Sequence, residues 1–275
     1  MSNITIIQSG EAVSLDPTGS GFAHGCGVFE TMKLADGQLC FWEAHWARLS
    51  YSAETLGLTH DCTIDRMQEA LSELVRKDSI REGTLKISLL QDGTDTRFVI
   101  YARPTTQAPD SVRLRLDKTN PLNAESALAG HKTHNYMESM LLLKSCRASG
   151  YFDVIRLNTS GFLAETTISN FFFIKNDQLY TPALHTGILP GIIREEVIKL
   201  TKQLSITVKT GDIPVEEIEG ANAFFLTNSS VGILPVDQID GDGIQFKADS
   251  TQHPVVEKLS LILAQSEQEN SQILI

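Results

Sequence analysis

Between Asp153 and Thr181 four apolar runs follow one another, DVIRLN, FLAET, NFFFIK and QLYT, none longer than six residues. A helix needs roughly ten residues or more to bury a face, so runs this short, punctuated by Thr159-Ser160-Gly161 and Asn176-Asp177, read as strands joined by turns. The expectation is a meander of antiparallel strands, and an all-helical chain is excluded. Elsewhere the period changes. Trp42, Trp46, Leu49, Ala53 and Leu56 fall on one face of a helix that Gly57 can end, and Ile64, Met67, Leu71 and Leu74 mark a second. Strands Val28–Leu34 and Gln38–Trp42 flank Asp36-Gly37, and LKISLLQDGTDTRFVIYA reads as a hairpin around Asp92-Gly93. Short apolar runs over Ile4–Val13, broken by Gly10, suggest an opening strand. Farther on, VRLRLD alternates as a half-buried strand, TNPLNAESALAG reads as loop, and Tyr136, Met140 and Leu143 mark a helix that Gly150 can end. Ile193, Val197, Leu200 and Leu204 mark another helix, ITVKTG, NAFFLT and GILPVDQI further strands, and Val255–Ala264 a closing helix.

These elements make an α+β chain. A stretch with two prolines and no periodicity, RPTTQAPD, suggests a linker. The division expected is a smaller N-terminal α/β domain over 1–105, a linker at 106–111, and a larger C-terminal domain over 112–275 with an antiparallel-rich sheet or barrel and helices. At 275 residues the chain is long enough for two ordinary domains. A net charge of −11 without a basic stripe argues against nucleic acid as partner. No window reaches the roughly 18–20 apolar residues of a membrane span, and the start lacks the basic region and apolar core of a secretory signal, so a cytoplasmic protein with no membrane partner is expected. The four cysteines lack CxxC spacing and nearby histidines, so neither a metal site nor a disulfide framework is expected.

Three features carry chemistry. Lys132 stands before a helical run, Glu165 closes a strand-like run, and Pro190-Gly191 precedes a helix whose start leaves backbone N–H groups and a positive dipole end for an anion. Gly25 and Gly27 beside Val28 allow a close backbone approach, or a bare turn. Taken singly, a solvated lysine, an ordinary strand end and a plain helix start account for the first three as well.

Together they stand in a series of motifs: GVFET, EAHWARL, HKTHNY, GFLAETTISNFFFI with YTP after it, TGILPGIIR and LTNSSVGILPV. In this order they resemble the fold-type IV class of pyridoxal-phosphate enzymes, which contains branched-chain aminotransferases, D-amino-acid aminotransferases and 4-amino-4-deoxychorismate lyases. The resemblance covers nearly the whole chain. It implies pyridoxal 5′-phosphate as cofactor, a small-molecule substrate and a homodimer. Lys132 would be the Schiff-base lysine and proton shuttle, and Glu165 would bind the pyridine nitrogen. Arg48 would bind the phosphate, with the N–H groups of Ile192 and Ile193 and the hydroxyl of Ser229. Leu189 would pack on the cofactor ring and Tyr136 would approach its phenolic oxygen. Lys132 must be neutral to act as a base, and burial near the cationic Arg48 would lower its pKa.

Within the class, Thr31-Met32-Lys33 follows the VFE, where branched-chain enzymes commonly carry Gly-Ile-Arg, and VFET is similar to the lyases, whose threonine here is a proposed proton donor to the departing enolpyruvate. LTNSSVGILPV, with Asn228, also resembles the lyases, and the YIRP segment of the branched-chain enzymes is missing. His24 stands where relatives often have Tyr or Phe, in a position expected to line the substrate pocket. Lys86 and Arg97 are possible anion contacts, with a solvated strand position the simpler account of each. The activity implied is 4-amino-4-deoxychorismate lyase, giving 4-aminobenzoate and pyruvate. The alternatives are an aminotransferase of D-amino or branched-chain amino acids, a non-catalytic binder of the same cofactor, and a cofactor-free α/β binding protein.

Overall fold

The computed structural model describes residues 3–8, 11–12, 14–104, 107–241 and 243–274. The chain divides into two compact units, Met1–Gln107 with His131–Tyr136 and Ser266–Ile275, and Ala108–Gly130 with Met137–Gln265. The expected division kept everything from 112 onward in one domain, whereas His131–Tyr136 and Ser266–Ile275 group with the first unit. Residue 106, where the expected linker begins, lies outside the described residues, as do Ser9, Gly10 and Val13 of the opening run.

Unit 1 is built on strands β1 (Asn3–Ile7), β2 (Gly27–Ala35), β3 (Gln38–Cys40), β4 (Gly83–Asp92) and β5 (Asp95–Pro104), with a last strand, β15 (Ser271–Ile273), from the chain's end. The order is β1-β5-β4-β2-β3-β15, antiparallel throughout except for the parallel β1–β5 pair. Alternation decides the faces. Val28, Met32 and Leu34 of β2, Leu85, Ile87 and Leu89 of β4, and Phe98 and Ile100 of β5 enter one core. Helices α2 (Trp42–Thr55) and α3 (Ile64–Asp78) cover that face with Trp42, Leu49, Ala53, Met67, Leu71 and Leu74. Trp42, expected both to end a strand and to open a helix face, starts α2, because Phe41 before it turns the chain into the left-handed region at φ 55°. The short helix α1 (Ser20–His24) ends on Gly25, also left-handed.

A strap over 132–134 lies along the start of β2: Phe29 N–H donates to the Lys132 carbonyl at 2.9 Å and His134 N–H to the Gly27 carbonyl at 2.9 Å. A Cβ on Gly27 would stand 2.7 Å from the Leu89 oxygen and 3.0 Å from the His134 ring, so glycine there is a close-approach residue. These backbone bonds are what group the strap with unit 1. Tyr136, expected inside a helix, belongs to this segment, and helix α4 (Met137–Ala148) starts after it.

Unit 2 holds β6 (Val112–Leu122), β7 (Asp153–Asn158), β8 (Leu163–Thr166), β9 (Asn170–Lys175), β10 (Gln178–Pro182), β11 (Val208–Gly211), β12 (Ala223–Asn228), β13 (Gly232–Gly241) and β14 (Ile244–Lys247). Helix α5 (Ile192–Thr201) packs on β12 and α4 on β7, and helix α6 (Pro254–Glu269) crosses the boundary between the units at Ser266. The sheet runs β11-β10-β9-β12-β13-β6-β7-β8, with β14 on β13. Five pairings are antiparallel and three parallel, so the sheet is antiparallel-rich, as expected. The meander holds only in part. β7 pairs with β8 and β9 with β10, but β8 ends the path and β9 takes β12 as its other neighbour. NFFFIK is buried at every position but the last, so this strand needs neighbours and cover on both sides. β12 brings Phe225 to stack on Phe172, centroids 4.9 Å apart and planes 6° apart. Among the described residues no helix is long and apolar enough to cross a membrane.

Candidate functional site

In unit 1 the β2 face opposite the core presents Phe29, Thr31 and Lys33, facing Ser88, Lys86 and Thr84 of β4 in register. The ring of Phe29 gathers the chemistry. Lys132 Nζ lies 4.7 Å and Lys86 Nζ 4.0 Å from its centroid, His134 tilts against it at 5.1 Å, and Tyr136 meets it edge-on at 5.8 Å. The structure thus brings Lys132, Tyr136 and Thr31 into one neighbourhood of unit 1. His131, just before Lys132, ties the strap to α2 through Ser52 Oγ at 3.0 Å and stacks on Tyr51. His24 lies exposed in the last turn of α1.

Lys86 is no solvated strand residue. Burial, then the nearby Arg103 and Lys132 charges, push its pKa down to about 8. His134 is pushed to about 4, by burial first and Lys86 second, and is neutral at pH 7. Arg97, the other possible anion contact, pairs instead with Asp92 at 2.6 Å and donates to the Ser14 carbonyl.

Arg48 lies on α2 with its fork against β2. Its Nε donates to Glu30 Oε1 and its Nη2 to Glu30 Oε2, both at 2.7 Å, and His45 Nδ1 lies 2.7 Å from the same Oε2. Glu30 and His45 are each 1% exposed. Burial would raise the Glu30 pKa, but the Arg48 charge and then His45 overcome it and hold the carboxyl down at about 2. His45 is itself pushed below its usual value by burial. It is therefore neutral and its Nδ1–H donates to the carboxylate.

In unit 2 Glu165 lies on β8. Its Oε2 accepts from Asn170 Nδ2 at 2.8 Å and its Oε1 from the Leu189 N–H at 3.1 Å, which fixes the carboxylate in place. Asn170 spends its other hydrogen on the Leu189 carbonyl at 2.9 Å, so one amide ties strand to turn. Helix α5 follows from Gly191, which makes no side-chain cap, and begins with Ile192 and Ile193. Arg194, in the same turn, donates to the Pro182 carbonyl at 2.8 Å and feels the Glu165 charge. Ser229 sits in the turn between β12 and β13. Asn228, expected at the substrate, shapes that turn: its Oδ1 accepts from the N–H groups of Ser230 and Val231 and its Nδ2 donates to Ser169 Oγ. Among the described residues no group of three or more His, Cys, Asp or Glu could hold a metal ion.

Sequence reading passed over Glu30, His45 and Asn170. A signal for the first two existed: Glu30 falls on the Val28–Met32 face of a strand whose alternation demands an apolar residue. A charge there requires a buried partner, and His45 and Arg48 stand three residues apart on the next helix. Nothing local distinguishes Asn170.

The sequence profile of the amino-transferase class IV family matches residues 27–239. The aminodeoxychorismate lyase of Bacillus subtilis is 30% identical over 239 residues, covering 82% of each chain. The branched-chain-amino-acid aminotransferase of Escherichia coli is 27% identical over 241 residues, covering 79% of this chain and 77% of that one. A crystal structure from Legionella pneumophila, provisionally named a 4-amino-4-deoxychorismate lyase, matches with a TM-score of 0.87 at 30% identity, over 96% of this chain and 99% of that one.

Proposed function

Because this chain belongs to the amino-transferase class IV family, we propose that it is a pyridoxal 5′-phosphate enzyme that converts 4-amino-4-deoxychorismate to 4-aminobenzoate and pyruvate. The observation that carries the lyase reading is the register of Thr31 opposite Lys86, on the face of β2 and β4 that also holds Phe29. Releasing enolpyruvate calls for a proton donor at the departing group and a cation for a substrate carboxylate. A hydroxyl and a half-buried lysine side by side meet both needs.

The chain's own groups suit the cofactor. Glu165 is held ready to accept from a protonated ring nitrogen by Asn170 and the Leu189 N–H. Gly191 starts α5 without a side-chain cap, so no capping oxygen occupies the first N–H groups, those of Ile192 and Ile193 included, which suit a phosphate. Arg48 adds a guanidinium fork, and Ser229 a hydroxyl. Leu189 is assigned to the ring face and Tyr136 to the phenolic oxygen. When bound, pyridoxal 5′-phosphate supplies an aldehyde that takes up an amine and a ring that stores an electron pair. Lys132 is assigned to that aldehyde and, as a free amine, receives the proton from the substrate carbon bearing the amino group. Thr31 protonates the enolpyruvate as its carbon–oxygen bond breaks, and Lys86 holds a carboxylate.

Purified protein given aminodeoxychorismate should release pyruvate. Thr31→Val should cut that release by about 10²-fold, the usual scale for a lost proton donor, while cofactor affinity stays put. A protonated Lys86 predominates below pH 8, so kcat/KM should fall as pH rises through about 8. Lys86→Met should remove that limb and raise KM by about tenfold, the loss of one charge-assisted hydrogen bond. The second reading, transamination of branched-chain or D-amino acids, draws on the relative from Escherichia coli. It requires amino acid alone to convert the bound cofactor to its pyridoxamine form, seen in the visible spectrum. That conversion, with no pyruvate from aminodeoxychorismate, would sink the lyase reading.

A further inference from the structure

We infer that Glu30 is a positioning residue for the cofactor phosphate: it fixes the plane of the Arg48 guanidinium through two parallel bonds, and His45 in turn fixes the Glu30 carboxylate. The inference rests on the assignment of Arg48 to the phosphate. The three side chains form one cluster on β2 and α2, with Nε and Nη2 each 2.7 Å from separate Glu30 oxygens. His45 Nδ1 lies 2.7 Å from one of them. Glu30 and His45 are 1% exposed, and the Arg48 side chain is 9% exposed. A carboxylate so placed costs burial on a face that is otherwise apolar, Val28 and Met32 flanking it. An apolar side chain would serve the core better. What Glu30 adds is direction, because an arginine held bidentately by its Nε edge loses the rotamer freedom that a phosphate would otherwise have to remove.

A rival physical effect gives the opposite sign. Glu30 offsets the charge of Arg48, so if net charge governed phosphate capture, neutralising Glu30 would tighten binding. The experiment reads apoprotein affinity for pyridoxal 5′-phosphate and for pyridoxal, which lacks the phosphate, by titration of protein fluorescence. Glu30→Gln keeps the shape and removes one of the two parallel acceptors. Glu30→Asp keeps the charge and shortens the reach. Both are expected to weaken pyridoxal 5′-phosphate by about tenfold, as expected when a preorganised donor must be ordered by its ligand, and to move pyridoxal by less than about twofold. Tighter or unchanged phosphate-ester binding, or equal loss for both ligands, overturns the inference, the last showing a purely structural role. Arg48→Ala separates the two ideas. If it leaves the preference for the phosphorylated ligand intact, the phosphate assignment itself fails; if it abolishes the preference while Glu30→Gln does not disturb it, only the positioning role falls. Should Glu30→Gln not fold by circular dichroism, Glu30→Asp and His45→Gln are read by the same ratio.

Discussion

Lys132→Ala is expected to abolish turnover, by at least about 10³-fold, while leaving the protein folded. One side chain is assigned two duties, attachment of the aldehyde and movement of the substrate proton, and loss of a positioned proton carrier alone costs about 10²–10⁴-fold. The strap's own backbone bonds are made by other atoms. The strap is held by main-chain groups, the Lys132 carbonyl accepting from Phe29 N–H at 2.9 Å and His134 N–H donating to the Gly27 carbonyl at 2.9 Å, and alanine keeps all of them. Among what the fold loses is the approach of Nζ to the Phe29 ring at 4.7 Å, worth about 0.5–1 kcal/mol. The checks are pyruvate release, the denaturation midpoint, and borohydride reduction, which should leave cofactor covalently attached to the parent chain and not to the variant. Near-parental activity would bring down the whole catalytic scheme.

Gly191→Ala is expected to disturb unit 2 most. The backbone there has φ −67°, which any residue adopts, so the effect is one of space and not of conformation. An added Cβ would lie 1.9 Å from Asn170 Oδ1 and 3.3 Å from the Arg194 Cβ. The amide has nowhere to retreat: Asn170 is 4% exposed, and its Nδ2 is bonded to both Glu165 and the Leu189 carbonyl. Overpacking of this kind costs about 1–3 kcal/mol, and a displaced Asn170 takes one of the donors that fix Glu165 with it. Chemical denaturation should show the loss, with weaker pyridoxal 5′-phosphate binding beside it. Combining the change with Asn170→Ala should cost less than the sum of the two singles, since the clash goes with the amide. Strict additivity would place the clash elsewhere.

Much of the chain's local structure is legible in the sequence because its signals are local. Asp36-Gly37 and Asn176-Asp177, read as tight turns, adopt positive φ at both residues, 48° and 73° in the first and 51° and 57° in the second, the geometry that a two-residue hairpin requires. The faces of α2 and α3 follow the apolar period, with Leu49, Ala53, Met67 and Leu71 all in the core. Gly27 is where the backbone is approached closely, by the His134 ring as well as by β4.

The site divides the same way. Lys132, Glu165, Arg48 and the α5 turn stand out in the sequence only through the ordered series of motifs, since each alone has an ordinary account. Their support does not stand out there. Asn170 becomes the keeper of Glu165 only when β8, β9 and the turn at Leu189 converge. Lys86 departs from Arg97 only when Phe29 covers one while Asp92 pairs with the other.

What the sequence by itself determined are the turns and the apolar faces of most elements, set by neighbours within a few residues, while their ends shifted, as where β6 runs on to Leu122 through residues read as loop. Strand order was decided only by the tertiary structure. β9 took β12 as a partner instead of β8, and β6 found parallel neighbours in β13 and β7, since a strand buried on both faces has no alternation to declare its partners and parallel pairing joins segments far apart in the chain. The same distance hid Glu30's purpose: a charge on an apolar strand face acquires meaning when α2 lays Arg48 and His45 across it.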